Sequence, residues 1–293
     1  MSNLVVRTNL LALNSHRNLG MVSNQQQRAS QRLSSGFRIN TGSDDAAGLA
    51  ISEGMRAQIR GLNQASRNAQ DGISVLQTAD GYLDTLSEMT NRMRELAVQG
   101  ANDTYSEDQR QILINEMELI AEEMDRMLDH ATFNSSQLFR NASGDYADSL
   151  LGDPAGFFLQ VGPDTDHAIS VNVATDLALI SARLDGDLDT IHAFDNQGGH
   201  QNFTNGIDIL NTLHQDINDL RAALGANMNR LEFTIENVDL AAENMSASES
   251  RIRDADMGAE MMRLTQANVL QQAATAMLAQ GNQAPQSILQ LLG

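Results

Sequence analysis

The chain has 293 residues, a net charge of −19, a sequence pI near 4.5, no Cys, no Trp, only three Pro and 4% aromatic residues. The absence of Cys excludes disulfides, thiol nucleophiles and Cys-ligated zinc, and because all 19 basic residues are Arg, P-loop lysines and Schiff bases are excluded as well. The acid surplus disfavours nucleic acid as a partner, and the scarcity of aromatics and Pro suits long helices better than several globular cores.

From Met1 to Ser43 there is no acidic residue, and five arginines (Arg7, Arg17, Arg28, Arg32, Arg38) are the only full charges. Leu4, Val5, Leu10, Leu11, Leu13, Leu19, Met21 and Val22 alternate with Asn, Ser and Gln. This stretch has no continuous apolar core of the kind a cleavable signal peptide carries. It predicts a helix from near Ser2 to Leu33 that stops before Ser34-Ser-Gly36. After a linker, Ser43 is placed to cap a second helix, with Asp44 and Asp45 in its first turn. That helix has apolar residues at Ile51, Met55, Ile59, Leu62, Ala65, Ala69, Ile73, Leu76, Ala79, Leu83, Leu86, Met89, Met93 and Ala97. The spacing suits coiled-coil packing, and Gly100 is a natural stop.

Ser106 and Gln109 form a capping-box pattern at the start of a third helix, whose stripe is Leu113, Met117, Ile120, Met124 and Met127. It should fold back on the second. Gly, Asp and Asn then become frequent, and Phe157–Val161 and Ile169–Val173 predict two short strands joined through Gly162-Pro163-Asp164. Residues 174–200 are assigned as irregular, with one short helix at most. From about Asn205 a further helix carries Ile207, Leu210, Leu213, Ile217, Leu220, Leu224, Met228, Leu231, Ile235, Val238, Ala242 and Met245 on one stripe, the natural partner of the second helix.

The last thirty residues contain no charged side chain. Met257, Met261, Leu264, Ala267, Leu270, Ala274, Met277, Gly281, Ala284, Ile288 and Leu291 recur at steps of three or four, which puts them on one helical stripe. Opposite that stripe stand only Gln, Asn, Thr and Ser, too polar for a membrane span and too uncharged for an isolated surface helix. All 38 acids lie between Asp44 and Glu260 with 13 of the arginines, a net of −25, leaving +6 on the two ends. An acidic body with two charge-poor tails implies that the tails order by burial against other protein, with copies of this chain as the expected partner. The expected fold is mainly α: a long antiparallel bundle built from the N- and C-terminal halves, with a small β-hairpin region at its far tip.

Several blocks of sequence are distinctive. Ser250-Arg-Ile-Arg-Asp-Ala-Asp-Met257, Val269-Leu-Gln-Gln-Ala-Ala-Thr-Ala-Met-Leu-Ala-Gln280 and Asn282-Gln-Ala-Pro-Gln286 closely resemble the C-terminal signature of bacterial flagellins. Arg32-Leu-Ser-Ser-Gly-Phe-Arg-Ile-Asn40, Ser43-Asp-Asp-Ala-Ala-Gly-Leu-Ala-Ile-Ser52 and Arg94-Glu-Leu-Ala-Val-Gln99 look like blocks of the same family's N-terminal half. The likeness covers about residues 1–140 and 205–293. It implies a filament subunit that polymerises into a helical homopolymer used for swimming. By the same resemblance, residues 1–42 form an inner-tube helix and linker and 43–140 the N-terminal part of the bundle. Residues 141–204 form a short central β and irregular region in which the outer domains are absent or vestigial, 205–249 the C-terminal part of the bundle, and 250–293 a second inner-tube helix. Leu264, Leu270, Ala274, Met277, Ile288 and Leu291 would form the inner-tube polymerisation stripe. Implied partners are the flagellar type III export apparatus, an export chaperone and the filament cap, and the implied location is secreted, in the extracellular filament. Arg92 and Leu96, read as off the core stripe, and Glu116 on the facing helix align with the family's axial contact and with positions engaged by Toll-like receptor 5. A hook–filament junction protein of the same superfamily and a secreted enzyme on a flagellin frame are the alternatives, separated by abundance in sheared filaments and by any hydrolytic activity that survives purification.

No residue pattern calls for a cofactor or metal. The metallopeptidase carried by some relatives needs His-Glu-x-x-His, which is absent, and His16, His130, His167, His192, His200 and His214 are scattered. Asp185, Asp187 and Asp189 alternate like the start of a calcium loop, but the Gly and terminal Glu are out of position, so a solvated acidic turn is the plainer assignment. Asn134-Ser-Ser136 and Asn141-Ala-Ser143 match a glycosylation acceptor pattern that means little in a bacterial chain. The methionines fall on the same stripes as Leu and Ile and read as packing residues rather than a peptide groove. The N-terminal arginines are expected to pair with carboxylates of neighbouring copies. Exclusive use of Arg fits ion pairs that hold in alkaline surroundings, with base composition of the genome as the competing explanation.

Overall fold

A computed structural model describes residues 9–140, 149–153, 156–175, 177, 179, 180 and 199–292, with Leu11 and residues 284–292 given as backbone. Asp185, Asp187, Asp189, His192, Arg7, Asn141-Ala-Ser143 and most of 174–200 lie outside the described residues. Among the described residues there are five long helices and two antiparallel hairpins: α1 (Leu10–Ser35), α2 (Ala46–Gly100), α3 (Glu107–His130), β1 (Thr132–Phe133), β2 (Ser136–Gln137), β3 (Phe157–Gln160), β4 (Ala168–Val171), α4 (Gly199–Arg253) and α5 (Met257–Leu292). The chain divides into two compact units, residues 1–59 with 243–293 and residues 60–242, and α2 and α4 supply residues to both.

In the first unit α1 and α5 lie antiparallel. Asn9 Nδ2 donates to the Gly281 carbonyl at 2.7 Å, Gln26 Nε2 to Asn268 Oδ1 at 2.8 Å, and Arg32 Nη1 to Glu260 at 3.4 Å. Asn9 also caps α1, its Oδ1 accepting from the Ala12 N–H at 3.1 Å, so one side chain satisfies a free helix donor and ties the two tails together. The helix ends where Gly36 takes φ 75°, a left-handed cap whose N–H reaches the Arg32 carbonyl at 2.8 Å. The cap of α2 differs from the expectation. Asp45, not Ser43, accepts from the Gly48 N–H at 2.9 Å and its carbonyl receives the Leu49 N–H, so no acid remains inside the first turn. Ser43 faces the Thr41 hydroxyl, and Asp44 turns back to accept from the N–H groups of Asn40 and Thr41 and from the Thr41 hydroxyl. A β-carbon at Gly48 would meet Asp45 Oδ2 at 2.5 Å and Ile39 Cδ1 at 2.8 Å, so a larger residue there would have to displace the capping carboxylate.

The second unit holds the main apolar core. Leu76, Ala79, Leu83, Leu86, Met93 and Ala97 of α2 are fully buried with Met117, Met124 and Leu128 of α3 and Leu210, Ile217, Leu220, Leu224 and Leu231 of α4. The Ser106–Gln109 capping box forms as expected and starts α3, which folds back on α2. α2 ends at Gly100 as expected, and the hydrogen of this glycine faces the Phe203 ring of α4, whose nearest atom would lie 2.3 Å from a β-carbon.

The predicted strands pair as β3–β4, with Phe157 opposite Val171 and Gln160 opposite Ala168. This hairpin lies alongside α2 through two glycines. Leu159 packs on Gly72, Pro163 packs on Gly61, and Asn68 Nδ2 donates to the Gln160 carbonyl at 2.9 Å. The β3–β4 hairpin thus packs along the Gly61–Gly72 stretch of α2. The β1–β2 hairpin was not predicted. Its two-residue turn is Asn134-Ser135, with φ 47° and 67°, the paired positive values of a type I′ turn.

Candidate assembly surfaces

Two of the sequence blocks singled out above, Arg32–Asn40 and Ser250–Met257, meet at the junction of α4 and α5. Asp254 bridges Phe37, the Arg38 N–H donates to the Arg253 carbonyl at 2.7 Å, and the Ala255 N–H donates to the Gly36 carbonyl at 2.9 Å. Arg38 Nη2 donates to the Ile252 carbonyl as well. Arg253 is buried, stacks 4.8 Å from the Phe37 ring centroid and pairs with Glu53 at 2.5 Å. The hydrogen bond from Arg253 and its charge hold the Glu53 carboxyl below the usual range, and the backbone donor of Thr41 does the same for Asp44. Glu260 is 3% exposed and accepts from Arg263 at 2.6 Å and Arg32 at 3.4 Å; Arg32 also stands 3.8 Å from Asp44. Two of the five N-terminal arginines, expected to wait for neighbouring copies, are therefore engaged within the chain. Arg17 and Arg28 form no ion pair among the described residues.

Along α5, Glu260, Ala267 and Gly281 are buried toward α1, with Leu264 and Ala274 half-buried. The remaining apolar residues form an outward face: Met257 (48% exposed), Met261 (53%), Met262 (70%), Val269 (60%), Leu270 (42%) and Met277 (55%). Met261, Met262, Thr265, Gln266, Val269 and Leu270 line a shallow groove of ≈ 550 Å³. Leu10, Leu13 and Met21 of α1 are exposed in the same way. The predicted stripe thus divides in two: Leu264 and Ala274 serve the α1 contact, Leu270 and Met277 remain open, and the side chains of Ile288 and Leu291 lie outside the described residues. Met262 and Val269 were not on the predicted stripe, although their spacing of seven could have found them.

In the second unit Arg92 Nη2 donates to Glu116 at 2.7 Å across α2 and α3 and Nη1 to Glu95 at 3.2 Å; the hydrogen bond to Glu116, then that to Glu95, raises the Arg92 pKa. Leu96 does not share this surface. It is 1% exposed and belongs to the core, because α2 is flanked by both α3 and α4 and buries a wider arc than a two-stranded seam. Ile112 (65% exposed) and Leu119 (66%) flank Glu116 on the outer side of α3. The described histidines do not cluster: His214 lies 3.4 Å from Ser87, while His16, His130, His167 and His200 are exposed at separate places. No helix among the described residues is long and apolar enough to cross a membrane.

Comparison with known proteins matches residues 6–143 to the bacterial flagellin N-terminal helical region and residues 207–292 to the bacterial flagellin C-terminal helical region. The chain is 46% identical over 290 residues to a flagellin of Halalkalibacterium halodurans, covering 99% of this chain and 100% of that one. It is 41% identical over 294 residues to the flagellar filament 31.3 kDa core protein of Treponema maltophilum, covering 99% and 100%. Its identity to a flagellin of Bacillus subtilis is 38% over 305 residues, covering 98% and 99%.

Proposed function

This chain belongs to the bacterial flagellins and is a structural subunit that self-polymerises into the flagellar filament, and we propose that the open apolar face of α5, with Leu10, Leu13 and Met21 of α1, is the surface by which each copy joins its neighbours. The observation that carries this reading is the six-residue apolar face left uncovered after α1 and α5 have paired. Covering such half-exposed side chains contributes about 1 kcal/mol each, some 5 or 6 in all. Association costs roughly 4–15 kcal/mol. One such contact is therefore too weak for a dimer, and a copy is held only where several neighbours cover it at once, as at a growing end. Head-to-tail contacts that do not close on themselves then give a helical polymer. Val269→Glu, which places an acid in the middle of the face without touching α1, is expected to abolish polymerisation on preformed seeds while leaving the helical circular dichroism unchanged; polymerisation at the wild-type concentration threshold would sink the reading.

The Arg92–Glu116 surface, with Ile112 and Leu119, is assigned as a second, axial contact, which Toll-like receptor 5 would engage on the monomer. Leu96 acts from beneath by holding α2 against α3. Arg92→Ala and Glu116→Ala are expected to lower receptor signalling at unchanged melting temperature, whereas Leu96→Ala lowers stability by about 2–5 kcal/mol as a core cavity. Equal signalling from the wild type and both surface variants would remove the receptor from this assignment. Export through the type III apparatus, with a chaperone and cap, and residence outside the cell are the readings the family resemblance supports. The role is structural, and no catalytic step is assigned to this chain.

A further inference from the structure

Of the 14 methionines, those among the described residues differ in burial by place, with Met55 and Met245 half-buried in the first unit. In the second unit Met93, Met117 and Met124 are fully buried and Met89, Met127 and Met228 are half-buried. Among the described residues the exposed ones are Met21, Met257, Met261, Met262 and Met277, all on α1 and α5. Their thioethers are open to solvent in the lone chain and occupy the face assigned above to polymerisation. Leu or Ile would supply the same apolar area, but a thioether differs in one respect: its sulfur lone pair is a nucleophile toward peroxides. Attack of that lone pair on hydrogen peroxide breaks the O–O bond, transfers one oxygen to sulfur and, after proton transfer, releases water. The sulfur is oxidised by two electrons and the peroxide reduced by two. The product sulfoxide is polar and chiral, and it is reversible by methionine sulfoxide reductases. Burying it in an apolar interface leaves a strong acceptor without a donor.

We propose that Met257, Met261, Met262 and Met277, with Met21, form a redox-sensitive modification site through which hydroperoxide-class oxidants block this chain's assembly and sulfoxide reductases restore it. The inference rests on the reading of the α5 face as an interface between copies. It adds that the lone subunit is the vulnerable species, since the same sulfurs are covered once neighbours are in place.

The test treats full-length monomer with hydrogen peroxide at a dose where peptide mapping shows oxidation at the five exposed positions and none at Met93, Met117 or Met124. Seeded polymerisation is then measured. The expected result is a concentration threshold at least tenfold higher, unchanged circular dichroism, and recovery after incubation with reductases for both sulfoxide epimers. The M21L/M257L/M261L/M262L/M277L chain should polymerise equally well before and after treatment; should it not polymerise untreated, the M261L/M262L chain takes its place and should keep more than half of its activity at that dose. Wild-type monomer that is oxidised at these positions yet polymerises normally would overturn the proposal, as would a Leu variant lost to peroxide as completely as the wild type. Val269→Glu separates the two levels: it carries no redox chemistry, so its failure to block assembly strikes the interface reading, while its success beside a peroxide-indifferent wild type strikes the oxidation site alone.

Discussion

Gly100 and Gly81 stand on the same helix and should answer an added methyl group in opposite ways. A β-carbon at Gly100 would lie 2.3–2.6 Å from three atoms of the Phe203 ring, whereas at Gly81 nothing lies within 4 Å. Replacing Gly by Ala inside a helix gains roughly 0.8–1.0 kcal/mol where space allows, and overpacking a core costs about 1–3 kcal/mol. Gly81→Ala is therefore expected to raise the urea midpoint of the monomer and Gly100→Ala to lower it. Pairing Gly100→Ala with Phe203→Leu should recover part of the loss. Identical midpoints for the two single variants would show that the ring contact at Gly100 does not decide its identity. The periodicity of α2 locates Gly100 at a helix end without revealing the ring behind it, because a glycine kept for clearance and one kept for capping look alike in a sequence.

At the scale of elements, the hydrophobic stripes of α2, α3 and α4 were legible because each buries one face against neighbours supplied by the same chain. The errors have local causes. Two consecutive acids after Ser43 offer three capping choices, and geometry selected Asp45 because Asp44 is used by the Thr41 turn. Leu96 was misplaced because a two-residue seam underestimates the arc that α2 buries. The β1–β2 hairpin has strands of two residues, too short for an alternation to register. The α1–α5 pairing was half legible: an uncharged stripe announces a partner, but only the antiparallel register of Asn9 on Gly281 and Arg32 on Glu260 reveals that the first partner is the chain's other tail.

The junction between α4 and α5 makes a prediction at this scale. Glu53 is held below its ordinary value of 4.5 by the hydrogen bond from Arg253, and Asp44 below 3.8 by the backbone donor of Thr41. A carboxylate whose folded value is depressed contributes stability that is complete above the unfolded value and is lost as pH falls through the folded one. Hydrogen-exchange protection of the Arg38 and Ala255 amides should accordingly stay level above about pH 5 and decline below about pH 4. In Glu53→Gln the decline should be shallower and protection at neutral pH lower. Protection that fell on the alkaline side of neutrality instead would show that these carboxylates do not hold the junction.

For the molecule as a whole, charge is divided unequally. The unit of residues 1–59 and 243–293 has nine arginines against eight acids, a net of +1, and the unit of residues 60–242 has ten against thirty, a net of −20. Every cation in the ion pairs Arg221–Asp80, Arg221–Asp84, Arg92–Glu116 and Arg253–Glu53 is a guanidinium, and in the first of these the Asp80 hydrogen bond raises the Arg221 value further. Lys would begin to lose its proton near 10.4, while Arg remains charged well past 12. The melting temperature of this chain is expected to change less between pH 7 and about 10.5 than that of a Lys-containing flagellin measured beside it. An equal or larger fall would leave the exclusive use of Arg without a physical role.

The turn between β1 and β2 has a practical use. Asn134, Ser135 and Ser136 are all exposed, and the two positive φ values make the reversal tight and local. Because lengthening a surface loop costs only about 0.6 kcal/mol per doubling, a foreign peptide spliced between Asn134 and Ser135 would be tolerated by the fold. Each copy added to a filament would then carry it, giving a periodic array of the guest sequence at the spacing of the polymer itself.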